Sequence, residues 1–166
     1  MFEILQNLRD TAEARAQAIT AQHADWPCRK GCDHCCRNLA DWPALSELEW
    51  QEVEAGLSRL PVEIGDQVRA RVAAAHGTSS PPYTCPFLDT AQGACLIYAH
   101  RPIACRTFGF YVDERGLGLY CQVIRERVDG GELADVVWGN QGAMDMRLDA
   151  LGPRLISPTP SIAPQA

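Results

Sequence analysis

The residues with the clearest chemical potential are eight cysteines. Cys28, Cys32, Cys35 and Cys36 fall within nine residues, and Cys85, Cys95, Cys105 and Cys121 follow at wider intervals. Thiolates are soft ligands that select zinc or iron–sulfur centres over magnesium or calcium. In Cys28-x-x-x-Cys32-x-x-Cys35 the gaps are short enough for one loop to turn several sulfurs onto a single ion or cluster. The adjacent pair is a different matter. Neighbouring side chains tend to diverge, so Cys35 and Cys36 are expected to serve two metal sites, or to leave one sulfur outside the ligand shell. Eight thiols match two four-cysteine sites, or one cluster with thiols to spare.

Other groups near the thiols are weaker ligand candidates. His34 lies inside the cluster, but the abundance of thiols favours sulfur over imidazole. His23, His76 and His100 have no ligand spacing and read as surface or capping residues. Arg29, Lys30 and Arg37 flank the first cysteine group, and Arg101 and Arg106 flank Cys105. Their positive charge would offset that of a thiolate cluster and favour deprotonated sulfur.

A disulfide framework would suit a small secreted chain. The N-terminal stretch carries Glu3, Arg9 and Asp10 where a signal peptide needs an unbroken apolar run. No stretch approaches the apolar length that spans a bilayer. The expectation is therefore a cytoplasmic protein with no membrane partner, in which clustered cysteines mean metal or redox chemistry. A net charge of -6 over 166 residues also argues against a nucleic-acid partner, which needs a basic face to displace counterions. With 46% hydrophobic residues the chain can build one core.

The elements that must position the thiols follow from periodicity. Phe2, Leu5, Leu8, Ala12, Ala16 and Ile19 recur at helical steps, predicting a helix over 2–22. Trp26-Pro27 ends that approach and puts Cys28 on a loop. Ser46 with Glu49 forms a capping box, and Leu45 with Trp50 sits at staple spacing, opening a helix that runs to Leu60. Ile64, Val68, Val72 and Ala75 predict another, ending at Gly77. The linker Ser79-Ser80-Pro81-Pro82 lets the second cysteine group fold back on the first, so the sulfurs are expected to converge despite the gap from Cys36 to Cys85. Residues 85–88 and 94–98 read as one small hairpin, and 110–112 with 117–120 as a second. Arg101-Pro102 starts a short helix carrying Cys105 and Arg106. Residues 122–128 and 141–151 are further helix candidates. Pro153, Pro158, Pro160 and Pro164 mark 153–166 as a disordered tail. The expected fold is mainly α with one or two small β-hairpins, an α+β arrangement in a single cysteine-rich metal-binding domain over 1–152.

The ordered set Cys28-x-x-x-Cys32-x-x-Cys35-Cys36, Cys85-Pro86-Phe87-Leu88, Cys95-Leu96-Ile97-Tyr98, Arg101-Pro102, Cys105-Arg106 and Cys121 resembles the YkgJ-like cysteine-cluster family. That family comprises zinc- or iron-chelating domains, with many members labelled iron–sulfur proteins. The resemblance runs over 28–121. It implies that all eight cysteines are metal ligands, that Arg101 and Arg106 shape their surroundings, and that the cofactor is an iron–sulfur cluster or zinc. Two departures stand out. The first gap holds three residues where many members have two, and Ala99 replaces a glutamate found before the Arg-Pro step in many relatives.

Three functions compete on this reading. One is a non-enzymatic metalloprotein for metal handling or electron transfer. Another is a cluster-dependent protein-modifying enzyme, because flagellin lysine methylases carry a similar cysteine pattern and resemble this family. The third is an adaptor in which structural zinc replaces a larger core. Cys28-x-x-x-Cys32-x-x-Cys35 also matches the cluster loop of radical S-adenosylmethionine enzymes, but the chain is too short for their repeated βα barrel. There is no phosphate-binding glycine loop, nucleophile elbow or paired-carboxylate signature, so no catalytic residue is assigned. Asp33, Asp41 and Glu47 read as turn or capping residues.

Overall fold

A computed structural model describes residues 1–75 and 80–156. Seven helices and four two-residue strands are formed among them: α1 (Phe2–Gln22), α2 (His34–Arg37), α3 (Glu47–Leu57), α4 (Val62–Ala75), β1 (Leu88–Asp89), β2 (Ala94–Cys95), α5 (Ile103–Thr107), β3 (Tyr111–Val112), α6 (Gln122–Asp129), β4 (Gly139–Asn140) and α7 (Gln141–Asp149). A single 3₁₀ turn covers Tyr98–His100. The protein is thus mainly helical with two small sheets. The chain divides into two compact units, Met1–Arg29 with Ile103–Leu151, and Lys30–Pro102 with the segment from Gly152.

In the first, helical unit, α1 buries Leu5, Leu8, Ala12 and Ile19 along one face. It packs against α5 and α7. Phe2, expected on that face, sits in the fraying first turn and is exposed, as are Met1 and Ile4. Ile103, Thr107, Ile124, Met144 and Leu148 contribute further buried groups from α5, α6 and α7. The second expected hairpin forms, with Asp113 N–H donating to Leu117 C=O and Leu119 N–H to Tyr111 C=O, and one of its strands gains a further partner. Val112 bridges Gly118 antiparallel, while β3 takes β4 as a parallel partner, Tyr111 opposite Gly139. A Cβ at Gly139 would lie 2.5 Å from the Tyr111 ring, so only glycine lets the aromatic lie against this strand.

In the second, cysteine-rich unit, α3 begins with the expected capping box: the Ser46 hydroxyl accepts from Glu49 N–H, and the Glu49 carboxylate accepts from Ser46 N–H. Leu45, Trp50, Val53, Leu57, Val68 and Ile97 form its core. β1 and β2 make the expected hairpin, with Leu88 opposite Cys95. The chain is paired past the expected start of the tail. Leu155 N–H and C=O bond Leu45 C=O and N–H at 2.7 and 2.8 Å, and its carbonyl also accepts from the Trp50 indole at 3.1 Å. Residues 157–166, and His76, Gly77 and Ser79 of the expected helix end and linker, lie outside the described residues.

Candidate metal centre

The cysteine-rich unit holds Cys32, Cys35, Cys36, Cys85 and Cys95; the helical unit holds Cys28, Cys105 and Cys121. All eight are free thiols. Cys32 is exposed and the other seven are half-buried.

In the cysteine-rich unit, Gly31, at a φ of +91°, turns the chain into Cys32. α2 then carries Cys35 and Cys36. Two segments fasten this turn of helix to the second cysteine group. Leu39 and Tyr83 exchange both backbone hydrogen bonds, at 2.8 and 3.0 Å, and Cys85 N–H donates to Cys36 C=O at 2.7 Å. Leu96 N–H donates to Phe87 C=O at 2.9 Å, holding the β2 strand and its Cys95 beside Cys85's own turn. Arg37 on α2 adds a side-chain tie: its guanidinium pairs with Asp33 and donates to Thr90 C=O at 2.9 Å. Arg37 therefore acts as a brace.

The adjacent pair departs from the sequence expectation. Cys35 Sγ and Cys36 Sγ lie 4.0 Å apart. The reason is α2 itself: successive residues on a helix differ by about 100° rather than pointing to opposite faces, and their rotamers close the remaining gap. Two sulfurs bound at about 2.3 Å to one tetrahedral metal are roughly 3.8 Å apart. The observed spacing is therefore close to that of a shared metal atom.

The electrostatics tie the same four thiols together. The Cys35 thiol is pushed up by the side-chain hydrogen bond with Cys36, then by burial and the Cys36 charge. For Cys36, the bond to Cys35 pulls down, but the bond to Cys85, burial and the charges of Cys85 and Cys95 leave it raised. Burial also raises Cys95, opposed by the Ile97 backbone N–H and by the Arg101 charge. In the metal-free protein Cys35, Cys36 and Cys95 thus favour the protonated thiol, and a metal must displace those protons. Among the described residues no three His, Cys, Asp or Glu side chains are closed around one ion position. The donor chemistry nevertheless fits a thiophilic metal, because all four neighbours are sulfurs.

Arg101 stacks over the Tyr98 ring, its guanidinium carbon 3.5 Å from the centroid, and donates to Tyr98 C=O at 3.0 Å. Lys30 Nζ lies 5.6 Å from the same ring. This stacked cation is the one that opposes the rise at Cys95, as a charge beside a thiolate centre should. His34 is exposed on α2. His100 packs its Cβ where a side chain on Gly56 would fall, and its Nδ1 is 3.3 Å from Glu52 Oε2, a structural pairing rather than a surface position. Asp41 accepts from Trp42 N–H at 2.8 Å, in the turn role read for it.

In the helical unit, Cys28 Sγ lies 3.7 Å from Phe108 C=O. Gly109, at a φ of +91°, makes this approach possible: a Cβ there would meet Cys28 Sγ at 3.0 Å. Cys105 lies on α5, and Cys121 is the N-cap residue of α6. Arg106 pairs with Glu13 at 3.7 Å and is largely buried. His23 is mostly buried, with Nε2 3.8 Å from Asp135. The sequence reading missed α2 and the β3–β4 pairing. Four-residue helices and two-residue strands carry too little periodicity to register.

A half-buried group of free thiols, fastened by backbone bonds and accompanied by a stacked arginine, defines a thiol-rich metal-binding domain. Residues 27–123 match the family described as CxxCxxCC, "Putative zinc- or iron-chelating domain", and the chain belongs to that family. Among curated proteins and solved structures, no match is found. No helix among the described residues is long and apolar enough to cross a membrane.

Proposed function

We propose that the protein takes up zinc or iron at a four-thiolate centre made of Cys35, Cys36, Cys85 and Cys95, and that its role is metal handling or electron transfer in a reducing cytoplasm. The observation that carries this reading is the 4.0 Å approach of Cys35 and Cys36, supported by the side-chain hydrogen bond between Cys36 and Cys85 and the influence of Cys85 and Cys95 on the Cys36 thiol. A shared metal atom for the adjacent pair fits a single tetrahedral ion. It also fits a [2Fe–2S] cluster, in which each iron takes two cysteines. In a [4Fe–4S] cluster each iron takes one, so the expected iron–sulfur centre narrows to the smaller type. The half-exposed thiols favour a metal that can be exchanged over one sealed in a structural core. Cys32, exposed beside this group, is suited to meet an incoming ion. Cys28, Cys105 and Cys121 complete the set of eight expected ligands but number only three within their own unit. Arg101 offsets the charge of the loaded centre through Cys95.

Metal, iron and acid-labile sulfide analysis after anaerobic purification tests the proposal. A single zinc ion gives a colourless protein without sulfide, and a single iron ion gives iron without sulfide, whereas a [2Fe–2S] cluster gives visible absorption with equal iron and sulfide. Cys36→Ser should remove the bound metal. Retention of full metal by that variant, four sulfides per chain, or a metal-free protein whose cysteines are all disulfide-bonded would overturn it.

A further inference from the structure

The helical unit contains a cavity of about 510 Å³ between α1, α7 and the β3–β4 pair. Its lining combines Arg15 and Arg147 with Tyr111 and the small or apolar Ala14, Ala18 and Met144. Arg15 donates to Val137 C=O at 3.1 Å, and Arg147 donates to the Asn7 side-chain carbonyl. Neither guanidinium has a carboxylate partner among the described residues. Each carries five N–H donors, so most of each fork is left for something else. This is notable in a chain with 21 acidic residues against 15 basic ones, where Arg37, Arg69, Arg106, Arg115 and Arg127 are all paired with carboxylates. Both arginines line the cavity beside Tyr111, and both charges act on it. Burial raises the Tyr111 phenol, while Arg15 and then Arg147 oppose the rise.

Two cations facing one cavity repel each other, and a bound anion relieves that repulsion while accepting directed hydrogen bonds from both. The volume lies within the range of small-ligand sites, roughly 300–1,000 Å³. We propose that this cavity binds a small molecule bearing a carboxylate or phosphate group, held between Arg15 and Arg147, with its apolar part against Ala14, Ala18 and Met144. The site is built entirely in the helical unit and uses no cysteine.

Titration calorimetry of the metal-loaded protein with benzoate, inorganic phosphate and neutral benzamide tests this. Benzoate or phosphate should bind saturably and benzamide should not; the stronger of the two identifies the oxyanion as carboxylate or phosphate. Charge-assisted hydrogen bonds make Arg15→Gln and Arg147→Gln each weaken that binding by about ten- to a hundredfold, with metal content unchanged. Ala18→Leu, which fills the cavity and leaves both charges in place, should abolish benzoate binding. The proposal is overturned if neither anion saturates at concentrations up to about 10 mM, which corresponds to less than roughly 3 kcal/mol of binding. It is equally overturned if benzamide binds as well as benzoate, or if both arginine variants, with normal metal content, bind as the parent does.

Discussion

The two compact units solve the same problem, holding short irregular segments in place, by different means. In the helical unit the long α1 supplies one continuous apolar face, and the loop after β3 is closed by groups that need nothing from outside. The Asp113 carboxylate accepts from Arg115 N–H at 2.9 Å and from Leu117 N–H at 2.8 Å. In the cysteine-rich unit the core belongs to α3, α4 and Ile97, while the thiol-bearing stretch from Lys30 to Asp41 buries no residue. Its fixed points are the Leu39–Tyr83 and Cys36–Cys85 backbone bonds, the Arg37 brace and the thiols themselves. A segment that buries so little apolar surface has little to offset the entropy of ordering it. Metal binding to preassembled thiolates supplies that free energy directly. The contrast predicts that metal matters unequally to the two halves.

The largest effect should come from removing the metal. For a ligand present at about a thousand times its dissociation constant the stabilisation lost is about 4 kcal/mol. For a chain of this size that lowers the midpoint by roughly 8–16 °C. Hydrogen exchange should localise the loss: chelation, or Cys36→Ser, should strip protection from Leu39, Tyr83 and Cys85 amides while the α1 amides of Leu8 and Ala12 keep theirs at temperatures below the midpoint. Equal loss of protection in both units would break the contrast.

A second effect separates the cysteine-rich unit's own core from its metal. Leu155 pairs with Leu45, and its carbonyl accepts from Trp50, both of them buried. Ending the chain at Gly152 leaves those buried polar groups without their partners, at a cost of about 2 kcal/mol, or roughly 4–8 °C in the midpoint. Ending it after Ile156 keeps the bridge and should cost nothing measurable. Metal content should be the same in both. If the two truncations melt alike, Leu155 contributes no stability and the docked strap is only a chain ending.

Much of this was legible from residue types. The α1 stripe, the Ser46–Glu49 box and the Arg101-Pro102 helix start are local codes, and each element formed where its code stands. The zinc- or iron-chelating character was legible too, because short cysteine spacings point to a thiophilic metal. What the sequence does not encode locally is how Cys36 meets Cys85: that depends on backbone bonds across nearly fifty residues, with β-bridges one residue long. The divergence expected of Cys35 and Cys36 is the general tendency of neighbouring side chains, and one turn of helix brings their sulfurs to 4.0 Å instead. The arginine-lined cavity gave no signal at all, since Arg15, Tyr111 and Arg147 come from three distant segments and acquire meaning only together.

The smallest effect lies in the helical unit's loop. Asp113 is half-buried, and its carboxyl is held below its usual value first by the Leu117 backbone N–H, then by the Arg115 N–H and guanidinium. A carboxylate whose folded-state pKa is depressed contributes stability that is present above its unfolded value near 3.8 and is lost as pH falls through the folded value. Carbon-detected NMR of the Asp113 carboxyl should therefore give a midpoint below 3.8, and the amides of Arg115 and Leu117 should shift with the same midpoint. Because the partners of the carboxylate all lie in its own turn, Asp113→Ala should loosen only the turn from Glu114 to Leu117, leaving the global midpoint and the metal content as they were. The same substitution in a unit stapled by a metal would be silent in the loaded protein and large in the stripped one. Finding that pattern for Asp113, with a chelator-dependent loss of the turn, would mean that the helical unit also leans on the metal and would erase the distinction between the two.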